Sequence, residues 1–193
     1  VLLFLLIKGP VYIKTIFIFS SVLLGWNVYS LGFRPQIFAI IFVLLELFLL
    51  EKRKLLITIP LLILIWVNIH PSFFLGILIL LLYAVDRIIR DNRSLFKSCL
   101  LVFFSFIASG INYFGFNVYL EIFRHFQAPL NTMIAEWVSP PMVHILLIIL
   151  GTFGTLVLAI VRKNIDYRLF LLLIFAFFAI SARRNLPLFY PIF

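Results

Sequence analysis

The chain alternates long apolar runs with short polar or charged clusters. An apolar helix of about 20 residues, rising about 1.5 Å per residue, crosses a hydrocarbon core of about 30 Å. The pattern therefore predicts an all-α fold, a polytopic transmembrane helix bundle with about seven complete spans and partial helices at both ends. We place the complete spans at residues 11–31, 37–50, 55–69, 72–85, 95–110, 142–161 and 169–180.

Polar side chains interrupt the middle of the apolar stretch at residues 59–86: Asn68, His70 and Ser72. Pro71 has no N–H group and disfavours helical backbone at the preceding residue. We therefore predict two helices with a break at residues 70–71. Because an unpaired polar group in hydrocarbon costs several kcal/mol, these side chains are expected to face protein or a wet cavity.

Residues 112–141 form the longest segment between predicted spans, and part of it has an amphipathic pattern. One side of the predicted helix carries Asn117, Glu121, Arg124 and His125, and the other carries Phe116, Tyr119, Leu120, Phe123 and Phe126. This pattern predicts a helix lying in the membrane interface.

Composition agrees with a membrane protein, since 65% of the residues are hydrophobic and 12% are charged. The net charge of +9 does not indicate nucleic-acid binding, because the basic residues lie at the ends of the spans. If the turns around Lys8 and residues 52–54, 87–93 and 162–168 are cytoplasmic, that side, with the nearby Lys14 and Lys97, holds all but four of the 16 Lys and Arg. The positive-inside rule therefore predicts the orientation, and it places the interfacial helix on the outer side. The lone Cys99 excludes an intrachain disulfide.

Val1 lies inside an apolar run, and residues 186–193 begin another. We therefore expect residues 1–193 to be a single transmembrane domain that is a fragment of a longer chain. An N-terminal region and a C-terminal part would then be missing.

The predicted orientation collects unusual polar residues on the outer side. They include four Arg, two His and two acids: Arg34, Arg124, Arg183, Arg184, His70, His125, Glu121 and Glu136. The helices ending near Arg34 and His70 are short, so their ends are expected to lie in a recess below the headgroups. A recess rich in Arg would attract an anionic group, and guanidinium groups hold phosphate through paired N–H bonds.

Each of these residues also has a simpler interpretation. Arg34, Arg183 and Arg184 could extend to lipid headgroups, and His70 could be a hydrogen-bonded residue at a helix end. Glu136 beside Trp137 could be a loop salt bridge next to an aromatic interface anchor. We expect Glu46, inside a predicted span, to pair with Lys or Arg of residues 51–54. The sequence has no metal-ligand spacing and no nucleotide-binding or serine-nucleophile motif.

Several short motifs occur together in an order that resembles a known family. They are Arg34-Pro35-Gln36, Trp66-Val67-Asn68-Ile69-His70, Gly110-Ile111-Asn112 with Gly115, Ala135-Glu136-Trp137, and Ala182-Arg183-Arg184-Asn185-Leu186-Pro187-Leu188. The series resembles bacterial polytopic membrane proteins described as glycosyltransferases of the C superfamily, related to dolichyl-phosphate-mannose-protein mannosyltransferases. The resemblance covers nearly the whole chain.

The resemblance implies an enzyme of the bacterial inner (plasma) membrane that transfers a sugar from a polyprenyl-phosphate donor to an extracytoplasmic acceptor of unknown identity. Phosphate, sugar or acceptor contacts would come from Arg34, Gln36, Asn68, His70, Glu136, Trp137, Arg183, Arg184 and Asn185. The catalytic acid of such proteins is expected upstream of Val1, so we expect this chain to be inactive alone. No cofactor is implied with certainty, and a divalent metal bound by upstream acids stays open.

Two positions depart from the family pattern, because Pro71 stands where Gly is expected and Tyr113 where Pro is expected. Both lie at predicted turns, so we expect changed backbone geometry there. Two other functions stay open. One is a flippase for lipid-linked sugars or another transporter, since broken helices beside polar pockets also occur in transporters. The other is a structural subunit whose Arg residues only anchor it in headgroups.

Overall fold

The computed structural model describes residues 9–29, 36–53, 56–91, 95–127 and 137–190, with the backbone alone at 25–29, 36 and 126. All regular structure in these ranges is helical, so the predicted all-α class is confirmed. The helices are α1 (Val11–Tyr29), α2 (Gln36–Lys52), α3 (Ile59–Ile69), α4 (Phe73–Arg90), α5 (Leu95–Ser109), α6 (Val118–Gln127), α7 (Met142–Val161), α8 (Tyr167–Ser181) and α9 (Leu186–Phe189). Short 3-10 turns lie at Leu56–Thr58, Gly115–Asn117 and Arg183–Asn185. Each predicted complete span coincides with one of these helices.

Among the described helices, only α7 is both long enough and apolar enough to cross a bilayer by itself. Four others are apolar but shorter: Val11–Leu24, Leu56–Ile69, Leu95–Ser109 and Tyr167–Ser181. One such helix is weak support for a membrane location, so the number of spans and their orientation stay predictions.

The chain divides into two compact units. The first unit contains α2 to α6, and the second contains α1 and α7 to α9. The predicted single transmembrane domain stays a prediction.

The core of the first unit forms where α3 and α4 meet α2. Trp66 of α3 and Phe73 of α4 are fully buried, and the Trp66 ring stacks on Phe42 of α2 with centroids 5.2 Å apart. Close packing of this kind fills the space between helices and leaves few voids.

The predicted break between α3 and α4 is confirmed. His70 ends α3 with extended backbone, at φ −152° and ψ 137°, and its N–H group donates to the Trp66 carbonyl. Helix α4 begins at Phe73, directly after Ser72. The extended conformation at His70 is the one that a following proline favours.

The expected pairing of Glu46 with the basic turn is not found for Lys52 and Arg53, and Lys54 lies outside the described residues. Its side chain is fully buried, and neither carboxylate oxygen has a hydrogen-bond partner in the part of the chain that the structure describes. Lys52 is six residues further along α2 and therefore lies on a different side of the helix, where its ammonium group is 5.6 Å from the Phe48 ring. Glu46 instead faces Trp66 and Gly76.

In the second unit, α7 packs on α8, and α9 packs on α1 and α8. Asp166 caps α8, because its carboxylate accepts a hydrogen bond from the Arg168 backbone N–H at 3.0 Å. The cap satisfies one of the N–H groups that the first helical turn leaves unpaired.

We expect Asp166→Ala to lower the free energy of unfolding by about 1 kcal/mol, because the cap acceptor is lost. Thermal unfolding followed by circular dichroism in detergent would measure the change. Asp166→Asn is the matched control, since its amide oxygen can still accept the bond. An equal loss in both variants would contradict a capping role.

Candidate functional site

Two groups of predicted site residues lie in the described part of the chain, one in each unit. Asn68 and His70 belong to the first unit, and Trp137, Arg183, Arg184 and Asn185 belong to the second. Arg34 and Glu136 lie outside the described residues, and so does the side chain of Gln36. The roles predicted for these three stay predictions.

Asn68 ties the end of α3 to the turn that follows α5. Its side-chain amide nitrogen donates to the Leu64 carbonyl at 2.8 Å and to the Ile111 carbonyl at 2.9 Å. Both amide N–H groups are therefore engaged, which leaves the amide oxygen as an acceptor. Asn68 suits contact with a sugar hydroxyl better than contact with a phosphate oxygen, because phosphate needs donors.

His70 is held at the break by Ser72. The backbone N–H of Ser72 donates to Nδ1 of His70 at 3.1 Å, and the Ser72 hydroxyl lies 2.7 Å from the same atom. Since a backbone N–H can only donate, Nδ1 is the acceptor and the ring proton of neutral His70 is on Nε2. This nitrogen of the half-buried ring is therefore a donor, the polarity that an anionic ligand needs.

Trp66 completes this arrangement, because its indole N–H donates to the Ser72 hydroxyl at 3.0 Å. A hydroxyl that accepts from Trp66 can donate its own proton to His70. Sequence reasoning did not assign a role to Ser72, although its place two residues after His70 permits a local side-chain turn.

The turn after α5 is organised by Asn112. Its amide nitrogen donates to the carbonyls of Ser109 at 2.8 Å and Gly115 at 3.1 Å, and its amide oxygen accepts from the Phe114 N–H at 2.8 Å. Gly115 has a φ of +56°, which favours glycine. This part of the resembling motif therefore serves the backbone, and Tyr113, where proline was expected, is 95% exposed.

The amphipathic helix exists as α6, but its apolar side divides into two parts. Tyr119 faces the protein, since its hydroxyl lies 2.7 Å from the Ser109 hydroxyl and its ring contacts Phe73 and Phe106. Burial raises the pKa of Tyr119, and the hydrogen bond with Ser109 acts in the opposite direction. Leu120 and Phe123 point away and are more than half exposed.

On the polar side of α6, Glu121 and Arg124 form an exposed ion pair at 2.6 Å. Both charges are therefore partnered at the surface of this helix. An exposed ion pair of this kind is typical of a solvated helix face.

In the second unit, the Arg183–Asn185 turn contacts Trp137 and Val138. The Arg183 backbone N–H donates to the Val138 carbonyl at 2.9 Å. The Arg184 guanidinium carbon lies 4.3 Å from the centroid of the Trp137 ring, which is a cation–π contact. The fold thus brings together three residues that were predicted to share a site.

The side chains in this turn are oriented differently. Asn185 is used internally, because its amide nitrogen donates to the Phe178 carbonyl at 2.8 Å. The half-buried Arg183 guanidinium makes no hydrogen bond or ion pair within the described ranges. Arg183 is therefore the cation of this turn that is available to an external anion.

A second contact that sequence reasoning missed stabilises the segment after this turn. The Tyr190 hydroxyl lies 2.8 Å from Nδ1 of His144 in α7, and the Ser21 hydroxyl of α1 donates to the Tyr190 carbonyl at 3.0 Å. A His at the start of an apolar span was the available signal, since such a residue needs a partner.

The described residues contain no group of three or more His, Cys, Asp and Glu side chains that could hold a metal ion. The candidate residues themselves offer an amide acceptor at Asn68 and positive charge at Arg183 and Arg184. Comparison of the chain with protein family models, with curated proteins and with solved structures finds no match.

Proposed function

We propose that this protein is a polytopic membrane glycosyltransferase whose donor is a sugar carried on a polyprenyl phosphate. The observation that carries the proposal is the Arg183–Asn185 turn, where the half-buried Arg183 guanidinium has no acidic partner among the described residues and the Arg184 guanidinium lies on Trp137. A partly buried cation without a partner loses some of its hydration, so such a group is a candidate for binding an anionic ligand.

Phosphate is the anion that fits this turn best. The planar guanidinium group of Arg183 can donate two parallel N–H bonds to phosphate oxygens. Arg184 is held over Trp137, and an aromatic surface of this kind is also suited to a sugar ring. When the sugar leaves, the polyprenyl phosphate gains negative charge, which a nearby arginine stabilises.

Sugar contacts are also proposed for the first unit by itself. We propose that they come from Asn68, whose amide oxygen is an acceptor, and from His70 beside it. Arg34, Gln36 and Glu136 keep the roles that the sequence predicts for them. The acceptor substrate would enter from the extracytoplasmic side.

A membrane location explains the apolar side chains that the described helices leave exposed. Along α7 they include Met142, Val143, Leu150 and Phe153, and in α1 they include Tyr12, Ile16 and Phe19. Soluble monomers rarely expose a contiguous apolar patch larger than about 300–600 Å². We therefore propose that the seven predicted spans cross a bacterial inner membrane with their Lys- and Arg-rich turns in the cytoplasm.

The test uses the full-length protein in proteoliposomes with a radiolabelled polyprenyl-phosphate sugar. Arg183→Lys keeps the positive charge but loses paired N–H donation, so we expect release of sugar from the lipid to fall at least about tenfold. Arg124→Lys is the matched control, because Arg124 is exposed and paired with Glu121. Its activity is expected to stay close to that of the wild type.

Two other results would replace this proposal. Intact lipid-linked sugar that appears in the opposite leaflet would identify a flippase. Activity of Arg183→Lys equal to that of Arg124→Lys would show that Arg183 only anchors the protein among headgroups.

A further inference from the structure

The first unit contains a carboxyl group that the proposed sugar transfer does not use. Glu46 of α2 is 0% exposed, and both of its side-chain oxygens lack a hydrogen-bond partner within the described residues. Most buried polar atoms in proteins do have a partner, so an exception of this kind calls for an explanation.

The surrounding helices leave room for this carboxyl group. A Cβ atom built on Gly76 of α4 would lie 2.8 Å from Oε2 of Glu46. The same atom would lie 2.7 Å from both the Ile63 side chain and the Trp66 ring of α3. Glu46 thus occupies space that exists because residue 76 has no side chain.

Charged groups on the packed elements do not reach Glu46. Helix α3 and the Leu56–Thr58 turn contain no ionisable side chain. The ionisable residues of α4 begin at Tyr83, about two helical turns beyond Gly76, and continue with Asp86, Arg87 and Arg90. On α2 itself, Glu51 and Lys52 lie at the far end of the helix, beyond Leu49 and Leu50.

The surroundings of Glu46 favour a proton over a metal cation as its ligand. Moving an isolated carboxylate out of water costs several kcal/mol even after the protein relaxes, and no described cation repays that cost. A metal cation would need several oxygen ligands, whereas the described residues contain no group of three or more His, Cys, Asp and Glu side chains that could hold one. A proton needs only the carboxylate itself.

We propose that Glu46 is a proton-binding site, occupied in the folded protein at neutral pH. Because the ionised form requires water, the carboxyl can release its proton only when α2 separates from α4 at Gly76. Proton release and this separation are therefore one event. The proposal is independent of glycosyl transfer and stands whichever membrane function the protein has.

Infrared spectroscopy tests whether the proton is present. A protonated carboxylic acid has a carbonyl stretch that carboxylates lack, and we expect it in the wild-type protein near neutral pH. The band should disappear in Glu46→Gln and persist in Glu121→Gln. Glu121 is the matched control, because it is exposed and paired with Arg124.

The pH dependence of unfolding is the second measurement. An unfolded Glu ionises at an ordinary pKa of about 4.3, whereas the folded protein keeps this proton. The unfolded chain therefore binds fewer protons above that pH, and stability falls as pH rises. Relative to Glu46→Gln, the ratio of folded to unfolded wild-type protein should decrease about tenfold per pH unit.

Absence of the acid band from the wild-type spectrum would overturn the proposal, and so would parallel pH dependence of wild type and Glu46→Gln. If Glu46→Gln does not fold, Glu46→Met provides the reference, because it fills a similar volume without polar atoms. The wild-type spectrum alone remains decisive about the proton.

Discussion

Replacement of Trp66 by Ala is expected to lower the free energy of unfolding by about 3 kcal/mol, the low end of the range for large aromatic side chains. Trp66 is fully buried and stacks on Phe42. Its ring also lies close to Gly76, since a Cβ atom built there would be 2.7 Å from it. Its removal leaves a cavity that rigid neighbouring helices fill poorly.

Trp66→Phe separates the packing of the indole ring from its hydrogen bond. It keeps an aromatic ring against Phe42 but loses the N–H donor to the Ser72 hydroxyl. We expect the free energy of unfolding to fall by about 1 kcal/mol, the net contribution of one hydrogen bond, and by a small further amount for lost packing. Urea or thermal unfolding of the purified protein in detergent would measure both variants. Equal losses for Ala and Phe would show that the ring does not hold α3 against α2.

Gly76→Ala is expected to destabilise the first unit by about 1–3 kcal/mol, although alanine is the better helix former. The new Cβ would lie 2.7–2.8 Å from Ile63, Trp66 and Glu46, so at least one of these side chains must move. Two of the three belong to the packed core and cannot swing into solvent. Overpacking therefore exceeds the gain in helix propensity.

Gly151→Ala in α7 is the matched control for this prediction. Nothing lies within 4 Å of a Cβ built at Gly151, so only helix propensity changes. We expect Gly151→Ala to increase the free energy of unfolding by about 0.5–1 kcal/mol. Stabilisation by both substitutions, measured in the same thermal unfolding assay, would mean that α4 and α2 do not approach closely at Gly76.

The places of the helices follow from local features of the sequence. Apolar runs bounded by charged turns predict each of the long helices, because a helix satisfies its own backbone hydrogen bonds. Pro71 predicts the break after His70 because its ring and missing N–H group act on adjacent residues. The amphipathic pattern predicts α6, since its spacing of polar and apolar residues is a property of one helix.

Contacts between distant residues could not be obtained in this way. The sequence suggested that Arg183, Arg184 and Trp137 share a site only through the order of resembling motifs. The contact between Arg184 and Trp137 depends on how the chain returns past the end of α8. Likewise, the periodicity of α6 assigned Tyr119 to the apolar side without distinguishing lipid from protein, and packing against Phe73 decided between them.

Glu46 shows the difference most clearly. The sequence by itself determined that this carboxyl group lies in an apolar helix, and it predicted a basic partner for it. Its nearest basic residues in sequence suggested a partner, because sequence distance was the only distance known. Only the tertiary structure decided the outcome, since the helical twist directs Glu46 toward α3 and α4, where Gly76 leaves space and neither carboxyl oxygen has a described hydrogen-bond partner. Helix positions are set by local backbone and hydrophobic terms, whereas the state of a buried charge is set by neighbours that folding supplies.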